Sequence, residues 1–464
     1  MTAPQPQETR ARSTTIHLSA TRARVAVVGY GYIGAVIAAA LAQRGYDVTG
    51  IDVRPAVVEE ANAGRTSVPE PGLREAVHEA YAAGCLRATV DYAACAASDV
   101  IVVTVGTPLD ALQGADLTQV REAAMGVAKH LRRGQLVVFK STMPPGTTER
   151  VVRPLLEEGS GLKCGEGFLL AFSPERLAEG HALAEFATLP VVVGGVDAAS
   201  TRAAAEFWRD ALDVEVVEMT SATAAELSKL ACNWWIDANI AIANELAMLS
   251  DALKVDATDV IRAANTLPKG QHFVNILSPS VGVGGYCLTK DPWFVHDLGR
   301  RHGLELRTAR AGREANDRMP QYTVGRIEKE LRKQGRSLAG ARVAVLGLSI
   351  KANTGDVRFT PAQHVLSALQ QRGADLVVCD PMVHAEDAAR VTSLPVGGDV
   401  EATLRDADVV IGLANHDAFK SVGVERFAEL VKPGAFVFDG RSLFTKAEAA
   451  ALRGLALTYC GVGR

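Results

Sequence analysis

Residues 23–34 read ARVAVVGYGYIG, and this stretch decides the fold of the first part of the chain. The apolar run before Gly29 predicts a buried strand. Gly29, Gly31 and Gly34 have the spacing G-x-G-x-x-G, and residues 35–44 show the alanine-rich pattern of a helix. Because such a turn lets a pyrophosphate approach the backbone at a helix N-terminus, the stretch predicts a dinucleotide site. A purely structural turn is the alternative.

An acidic residue ends the second predicted strand, residues 48–51. It is Asp52, about 20 residues beyond the glycine turn. A carboxylate there accepts hydrogen bonds from the adenosine ribose and repels a 2′-phosphate, which favours NAD over NADP. Arg54 lies close by in the sequence and could accept that phosphate, so both cofactors stay open at this point.

Further apolar runs, which also predict buried strands, lie at residues 100–105, 136–139, 376–379, 409–413 and 435–438. Continuous apolar strands that alternate with helices are typical of a parallel sheet covered on both faces. Residues 341–347, ARVAVLG, nearly repeat residues 23–29, ARVAVVG, but the other two glycines of the triplet do not follow. The sequence therefore predicts an α/β fold with two Rossmann-like doubly wound domains, and a dinucleotide would fit the second poorly.

A long helix is predicted between these domains, because residues 222–253 contain neither Gly nor Pro. At 1.5 Å per residue it would be roughly 45 Å long. Its apolar side chains lie on several sides, which indicates burial against both domains or against a second subunit.

Composition excludes several classes of protein. The 464 residues carry a net charge of -4 without a basic face, which disfavours nucleic acid, and no apolar run is long enough to span a membrane. Seven cysteines without a Cys-x-x-Cys pair argue against a disulfide framework and a zinc cluster, and the histidines show no metal-ligand spacing. We expect no bound metal, a reducing cytoplasm, and a disordered leader rather than a signal peptide over residues 1–22.

Residues 282–291, GVGGYCLTKD, place a cysteine in a glycine-rich segment. Lys290 and Asp291 follow Cys287 closely, and a nearby lysine would lower the pKa of the thiol, whose thiolate is the nucleophile. A buried, small and inert side chain is the alternative, but the glycine-rich setting separates Cys287 from the other cysteines.

Charged residues also follow the C-terminal strands, namely Lys351, Arg358 and Arg441. Ligands bind at the carboxyl ends of strands in doubly wound sheets, and these cations suit phosphate groups. Taken singly, each is more often a solvated surface residue.

Two pairs of polar residues complete the candidates. Glu175 and Glu179 bracket a short segment, and Lys229 and Asn233 lie one turn apart on the predicted long helix. Solvated side chains are the alternative for either pair alone.

Taken in order, these motifs resemble those of the UDP-glucose/GDP-mannose dehydrogenase family. They are the turn 29–34, Ser141-Thr142, residues 174–180 (PERLAEG), Lys229 with Asn233, Asn244-Glu245, residues 282–291, and Gly347-Leu348 with Lys351 and Arg358. The resemblance implies a nucleotide-sugar 6-dehydrogenase that oxidises the C6 alcohol of a UDP-hexose to a carboxylate with two NAD. It also implies a homodimer, or a larger homo-oligomer, assembled through the central helix.

The resemblance divides the chain into four regions. After the leader come an NAD-binding Rossmann domain (23–215), a central helical dimerisation domain with the catalytic cysteine loop (216–325) and a UDP-sugar-binding Rossmann-like domain (326–464).

Catalytic roles follow from the same resemblance. Cys287 would hold the intermediate aldehyde and then form a thioester. Lys229 and Asp291, through a water, would remove the C6 hydroxyl proton, and Asn233 would help Lys229 to stabilise oxyanions. Glu175 would activate the hydrolytic water, aided by Thr142.

Binding roles are implied as well. The residues expected to bind NAD are Gly29, Gly31, Tyr32, Ile33, Gly34, Asp52, Arg54, Thr107, Ser141, Thr142, Glu179, Lys290 and Arg358. The residues expected to bind the UDP-sugar are Glu175, Leu177, Lys229, Asn233, Asn275, Gly284, Lys351 and Arg441.

The sugar is the most open point. Residues 237–246, 274–277 and 291–294 look more like the UDP-N-acetylmannosamine and UDP-N-acetylglucosamine enzymes than the UDP-glucose enzymes. Ile236 and Phe273 depart from that subgroup, and Lys290 is more typical of UDP-glucose enzymes, so UDP-glucose 6-dehydrogenase stays an alternative. A nucleotide-sugar-binding protein without turnover is another. A two-electron hydroxyacid dehydrogenase is disfavoured because it needs no second nucleotide domain.

Overall fold

The computed structural model describes residues 23–110 and 114–464, so the predicted leader lies outside the described residues. The chain divides into two compact units, the first ending at Lys229 and the second covering Leu230–Arg464. Each unit contains a sheet with helices, and the predicted α/β class is confirmed.

The first unit is built on an eight-stranded sheet in the order β3-β2-β1-β4-β5-β6-β7-β8. Its strands are β1 (Arg24–Val28), β2 (Asp47–Ile51), β3 (Leu86–Thr89), β4 (Val100–Val103), β5 (Leu136–Phe139), β6 (Leu169–Phe172), β7 (Val191–Gly195) and β8 (Val216–Glu218). Pairing is parallel from β3 to β6, and β7 runs antiparallel to β6. The strand order reverses at β1, which is where ligands bind in such sheets.

Helices cover both faces of this sheet. They are α1 (Tyr32–Gln43), α2 (Pro55–Ala61), α3 (Leu73–Ala82), α4 (Thr118–Ala128), α5 (Arg153–Ser160), α6 (Ala182–Phe186) and α7 (Ala198–Leu212), with a 3-10 turn (Tyr92–Ala97) and a π turn (Thr148–Val152). Strand residues alternate between the two cores: Val25 and Val27 pack with α1 and α7, and Ala26 and Val28 pack with α4. The strands are buried on both faces, as their continuous apolar sequence predicts.

The long helix α8 (Ala222–Leu253) has 32 residues and the predicted bounds. Ala222 and Ala225 belong to a core of the first unit, and Ala247 belongs to a core of the second unit. Along α8, buried and half-buried residues alternate with exposed residues.

The second unit continues with α9 (Ala257–Ala264), a two-stranded hairpin of β9 (Pro268–Lys269) and β10 (His272–Phe273), α10 (Asp291–Arg301) and α11 (Arg307–Lys333). Helix α11 has 27 residues with Pro320 inside it, and its apolar face (Met319, Val324, Ile327) packs in the same core as Ala247.

A six-stranded parallel sheet follows, in the order β13-β12-β11-β14-β15-β16. Its strands are β11 (Arg342–Leu346), β12 (Asp375–Cys379), β13 (Val396–Gly397), β14 (Val409–Gly412), β15 (Phe436–Asp439) and β16 (Thr458–Gly461). Its helices are α12 (Pro361–Gln370), α13 (Ala385–Val391), α14 (Val400–Leu404), α15 (Asp417–Lys420), α16 (Val424–Leu430) and α17 (Lys446–Gly454).

The two sheets repeat one local arrangement. The N–H of Gly29 donates to the carbonyl of Ile51 at 2.7 Å, and the N–H of Gly347 donates to the carbonyl of Cys379 at 2.8 Å. The continuations differ, because α1 begins at once, whereas residues 347–360 form a loop before α12.

Candidate active site

The glycine turn of the first unit fits a pyrophosphate. Gly29 has φ +87°, and a Cβ on Gly34 would lie 1.9 Å from the carbonyl oxygen of Gly29, so both positions require glycine. A Cβ on Gly31 would meet its nearest atom, of Arg54, only at 4.0 Å. Helix α1 starts at Tyr32, inside this glycine segment, and no side chain in the described chain caps it. Its first N–H groups are therefore available to an anion.

Asp52 ends β2 beside this turn and is buried. Its carboxylate accepts hydrogen bonds from the N–H of Tyr30 at 2.9 Å and from Arg54, whose Nε lies at 2.9 Å. Burial alone would raise the pKa of Asp52, but the hydrogen bonds from Arg54 and Tyr30 outweigh it and lower the pKa. Because Asp52 already neutralises Arg54, the pair suits a ribose hydroxyl better than a 2′-phosphate.

The ends of β4 and β5 bring three predicted cofactor residues together. The hydroxyl of Thr107 donates to the carbonyl of Thr142 at 2.6 Å. Next to Thr142, the hydroxyl of Ser141 is buried, and among the described residues it has no hydrogen-bond partner. A buried hydroxyl left in this state can bond to a ligand.

Tyr32 joins the glycine turn to the segment that carries Glu179. Its hydroxyl donates to Glu70, and the N–H of Gly180 donates to Glu70 at 2.8 Å. Tyr32 and Ile33 also pack against the core on the α1 face. Glu179 itself is half-buried.

Glu175 lies just after β6 and is held by its own segment. Oε1 accepts the N–H of Leu177 at 2.7 Å, and Oε2 lies 3.6 Å from the ammonium of Lys140. Lys229, on α8, is buried as well. Burial lowers the pKa of Lys140 most strongly, Glu175 raises it, and the positive charge of Lys229 lowers it further. The sequence interpretation assigned no role to Lys140.

The sequence also did not indicate a buried carboxylate of this unit, Glu226. Glu226 is fully buried one turn before Lys229 and accepts hydrogen bonds from the N–H groups of Gly146 and Thr148 and from the Thr148 hydroxyl, at 2.5–2.8 Å. Burial raises the pKa of Glu226 to about 7, against these hydrogen bonds. Glu226 thus ties the start of α8 to the loop after β5. Its sequence neighbours include Thr223, Ser228 and Lys229, and they gave no sign of its burial.

In the second unit, Cys287 is exposed and lies one turn before α10. Its carbonyl accepts the N–H groups of Lys290 at 3.2 Å and Asp291 at 2.9 Å. Asp291 is fully buried, and its two oxygens accept from Asn233 at 2.5 Å and from the Lys290 ammonium at 2.6 Å. The structure therefore joins the side chains of Asn233, Lys290 and Asp291 in one hydrogen-bonded cluster, and the backbone of Cys287 is hydrogen-bonded to the last two.

The glycines before Cys287 allow close packing against the protein itself. A Cβ on Gly284 would lie 2.6 Å from Ile350 and 2.9 Å from the carbonyl oxygen of Phe359. The N–H of Gly285 donates to the carbonyl of Arg358 at 2.9 Å. The cysteine loop is thus packed on the loop that carries Lys351 and Arg358.

Asparagines of α8 hold the chain that leads to this loop. Asn239 donates to the carbonyl of Asn275 at 2.7 Å and accepts the N–H of Leu277 at 2.8 Å. Asn244 accepts the N–H of Ser280 at 2.8 Å. The side chain of Asn275 is exposed.

Arg313 of α11 is buried and was not foreseen as a site residue. Its guanidinium donates to Asp237 of α8 at 2.5 Å and to the carbonyl of Leu288 at 3.3 Å. It connects α8, α11 and the residue after Cys287.

Three cations lie at the carboxyl ends of the second sheet or in the loop after it. Lys351 is exposed, and Arg358 pairs with Asp356 at 2.8 Å. Arg441 follows β15; within the described chain its Nε is buried without a hydrogen-bond partner, and burial lowers its pKa to about 10. A half-buried guanidinium whose Nε has no protein acceptor suits an anion such as a nucleotide phosphate.

Asp380, at the end of β12, was also missed. It accepts the N–H of Leu348 at 2.7 Å, as Asp52 accepts that of Tyr30, and lies 3.3 Å from Nε2 of His416. The N–H of Asn353 donates to Nδ1 of His416 at 2.7 Å, so Nε2 carries the proton. The strand-end position of Asp380 was visible in the sequence.

Comparisons with known proteins agree with this architecture. Three family models match, described as the NAD binding domain (residues 23–212), the central domain (223–318) and the UDP binding domain (344–446) of the UDP-glucose/GDP-mannose dehydrogenase family. Neither a metal-binding group of His, Cys, Asp and Glu side chains nor a helix able to span a membrane occurs among the described residues.

Similar proteins cover nearly the whole chain. The structure of UDP-N-acetyl-D-mannosamine dehydrogenase from Pyrococcus horikoshii has a TM-score of 0.85 and 32% identity, covering 95% of this chain and 99% of its own. NDP-N-acetyl-D-galactosaminuronic acid dehydrogenase of Ralstonia solanacearum is 34% identical over 92% of this chain and 97% of its own. UDP-glucose dehydrogenase of Pyrobaculum islandicum has a TM-score of 0.83 and 34% identity, covering 95% and 98%.

Fold and glycine turn define an NAD-binding protein of the dehydrogenase class. The chain belongs to the UDP-glucose/GDP-mannose dehydrogenase family, as the motifs indicated. NAD as the cofactor is confirmed by the family of the first domain.

Proposed function

We propose that this chain oxidises the C6 alcohol of a UDP-N-acetylhexosamine, UDP-N-acetylmannosamine or UDP-N-acetylglucosamine, to the UDP-uronate through a thioester. Relatives that act on N-acetylated sugar nucleotides support the substrate class. The observation that carries the chemistry is the exposed Cys287 beside the buried cluster of Asp291, Asn233 and Lys290.

The chain's own residues supply proton transfer and a nucleophile. NAD, when bound, accepts a hydride in each of the two oxidations. The carboxylate of Asp291 is held on both oxygens, so it can orient a water but does not rotate. Lys229 and Asp291 take the C6 hydroxyl proton, Cys287 adds to the aldehyde, and Asn233 helps to stabilise the oxyanion. Glu175, aided by Thr142, accepts the proton of the water that hydrolyses the thioester.

The substrate-binding roles in this proposal are those that the resemblance implies. Lys351 and the half-buried guanidinium of Arg441 hold the diphosphate, and Arg358 helps to close the site. Leu177, Asn275 and Gly284 contact the sugar. The three functional regions 23–215, 216–325 and 326–464 follow this division of roles.

We also propose a homodimer through α8. Trp235, Ile242 and Leu249 recur every seventh residue, and their side chains are 52%, 52% and 57% exposed. Leu253 continues this apolar stripe at 63% exposure. A heptad-spaced stripe of large apolar side chains is the pattern with which two helices pack together.

A screen of sugar nucleotides tests the function. The protein is incubated with NAD and, separately, with UDP-N-acetylmannosamine, UDP-N-acetylglucosamine, UDP-glucose and GDP-mannose, and NADH is followed by absorbance. We expect two NADH per sugar and a uronate product with an N-acetylated substrate. A faster reaction with UDP-glucose would favour that alternative. One NADH with free aldehyde would contradict the thioester, and no NADH with any sugar would indicate a binding protein.

A further inference from the structure

We propose that Lys140 is a positioning residue that holds Glu175 for hydrolysis of the thioester. This inference rests on the proposed function, in which Glu175 accepts a proton from the hydrolytic water. Lys140 lies outside the motifs that indicated the site.

The topology brings the two residues together. Lys140 follows β5 and Glu175 follows β6, and these strands are parallel neighbours. Their carboxyl ends therefore meet at one edge of the sheet. The ammonium of Lys140 lies 3.6 Å from Oε2 of Glu175, and the two side chains are 3% and 13% exposed.

Aromatic rings enclose the ammonium group. The centroids of Trp208, on α7, and Phe186, on α6, lie 5.0 Å and 6.0 Å from Nζ of Lys140. Within the described chain, Glu175 is the only carboxylate with which Lys140 forms an ion pair. A buried cation costs free energy relative to an apolar side chain, so packing alone does not explain a lysine here.

Glu175 is fixed but not saturated. Oε1 accepts the N–H of Leu177 at 2.7 Å, while Oε2 is buried and, within the described residues, forms no hydrogen bond. At 3.6 Å, Lys140 attracts Oε2 without donating a hydrogen bond to it. Oε2 thus keeps its capacity to accept a proton while its direction is set.

The step that depends on this geometry is hydrolysis. The oxygen of water attacks the thioester carbonyl carbon, Glu175 takes a proton from that water, and the carbon–sulfur bond breaks. The thiolate of Cys287 leaves, and the resulting carboxylic acid gives the second proton of the water to solvent as it becomes the sugar carboxylate. No electrons are transferred, so the preceding NADH-forming steps do not need Lys140 to hold Glu175.

The experiment separates these phases with UDP-N-acetylmannosamine, or with the sugar nucleotide that the screen selects. Lys140→Met removes the charge and keeps the length, and Lys140→Arg keeps the charge. Lys163→Met is the matched control, because Lys163 forms an ion pair of 3.2 Å with Glu157 but is 70% exposed. Stopped-flow absorbance measures the NADH burst and the later turnover, and intact mass spectrometry detects the sugar adduct on the protein.

We expect Lys140→Met to keep the burst within about threefold of wild type and to slow turnover by about 100-fold, the usual scale of general-base catalysis. The adduct then accumulates, and Lys140→Arg regains part of the rate. In the Glu175→Gln background, Lys140→Met should slow turnover no further, because it acts through Glu175.

Each of the following results overturns the proposal. If Lys140→Met loses the burst and the turnover equally, Lys140 has a structural role. If Lys140→Met does not fold, Lys140→Gln replaces it, and equal turnover rates of Lys140→Gln and Lys140→Arg would show the same. Full slowing of the Glu175→Gln enzyme by Lys140→Met would show that Lys140 acts elsewhere. If Glu175→Gln alone forms no adduct while wild type still makes uronate, the thioester route itself fails, and this inference fails with it.

Discussion

At the scale of single residues, Cys287 is the most direct test of the proposed chemistry. Replacing its sulfur in Cys287→Ser removes the thiolate that would hold the aldehyde, and we expect uronate formation to fall by at least about 100-fold. The measurement is NADH formation with product analysis. Cys232→Ser is the control, because Cys232 is also exposed and lies in the same unit. Wild-type uronate production by Cys287→Ser would refute the thioester.

Glu226 makes folding stability depend on pH. Its pKa is raised from a usual value of 4.5 to about 7 in the folded protein, mainly by burial. Between these values the folded state binds more protons than the unfolded state, so stability falls as pH rises from 4.5 to 7. Above that window the cost is constant, on the order of 3 kcal/mol.

Between pH 5 and pH 8, the Tm of Glu226→Gln should therefore fall less with rising pH than the Tm of wild type. Thermal unfolding of wild type and variant at several pH values measures this effect. Glu158→Gln, at an exposed glutamate of α5, should leave the wild-type slope unchanged. If the Tm of Glu226→Gln depends on pH as steeply as that of wild type, ionisation of Glu226 does not reduce folding stability.

The sequence motifs indicated the proposed reactive residues but not the residues that hold them. Cys287, Asn233 and Asp291 belong to recognisable motifs, and Asp291 is hydrogen-bonded to Asn233 and to the backbone of Cys287. Lys140 and Arg313 escaped, because their partners come from distant segments: the rings around Lys140 are on α6 and α7, and Arg313 meets Asp237 of α8. Local pattern carries no information about such encounters.

At the scale of elements, Arg313 clamps α8 to α11. Its removal in Arg313→Ala leaves Asp237 buried without its counter-charge, and burial already raises the pKa of Asp237. We expect a loss of about 3–5 kcal/mol in the free energy of unfolding of the second unit, measured by urea denaturation. Arg310→Ala, at an exposed arginine of the same helix, should cost less than about 0.5 kcal/mol. Equal losses in both variants would contradict the clamp.

Element bounds were predictable where local pattern dominates. Helix α8 matches its predicted bounds because no Gly or Pro interrupts it, and β5 matches because its apolar run ends at a charged residue. The reversed direction of β7 was not predicted, because strand direction is decided by tertiary pairing with β6. Helix α11 was missed as well; Pro320 lies inside it, and proline commonly marks a helix end.

At the scale of the whole molecule, the apolar stripe on α8 predicts assembly. The double variant Ile242→Glu/Leu249→Glu places two charges on the stripe, and we expect it to shift the protein from dimer to monomer. Sedimentation velocity at several protein concentrations measures the mass. The control is Leu304→Glu, because Leu304 is 57% exposed but lies outside α8. A dimer that survives the double variant would place the interface elsewhere.

The loop of residues 347–360 has a consequence for the order of events in a catalytic cycle. In the described chain, only the first of the two repeated strand–glycine units opens straight into a helix. We therefore expect one NAD at a time on each chain, bound at the glycine turn of the first unit. In the proposed four-electron oxidation, the first NADH must then dissociate and a second NAD must bind before the second hydride transfer. A covalent bond between the sugar and the protein would prevent the intermediate from dissociating during this exchange.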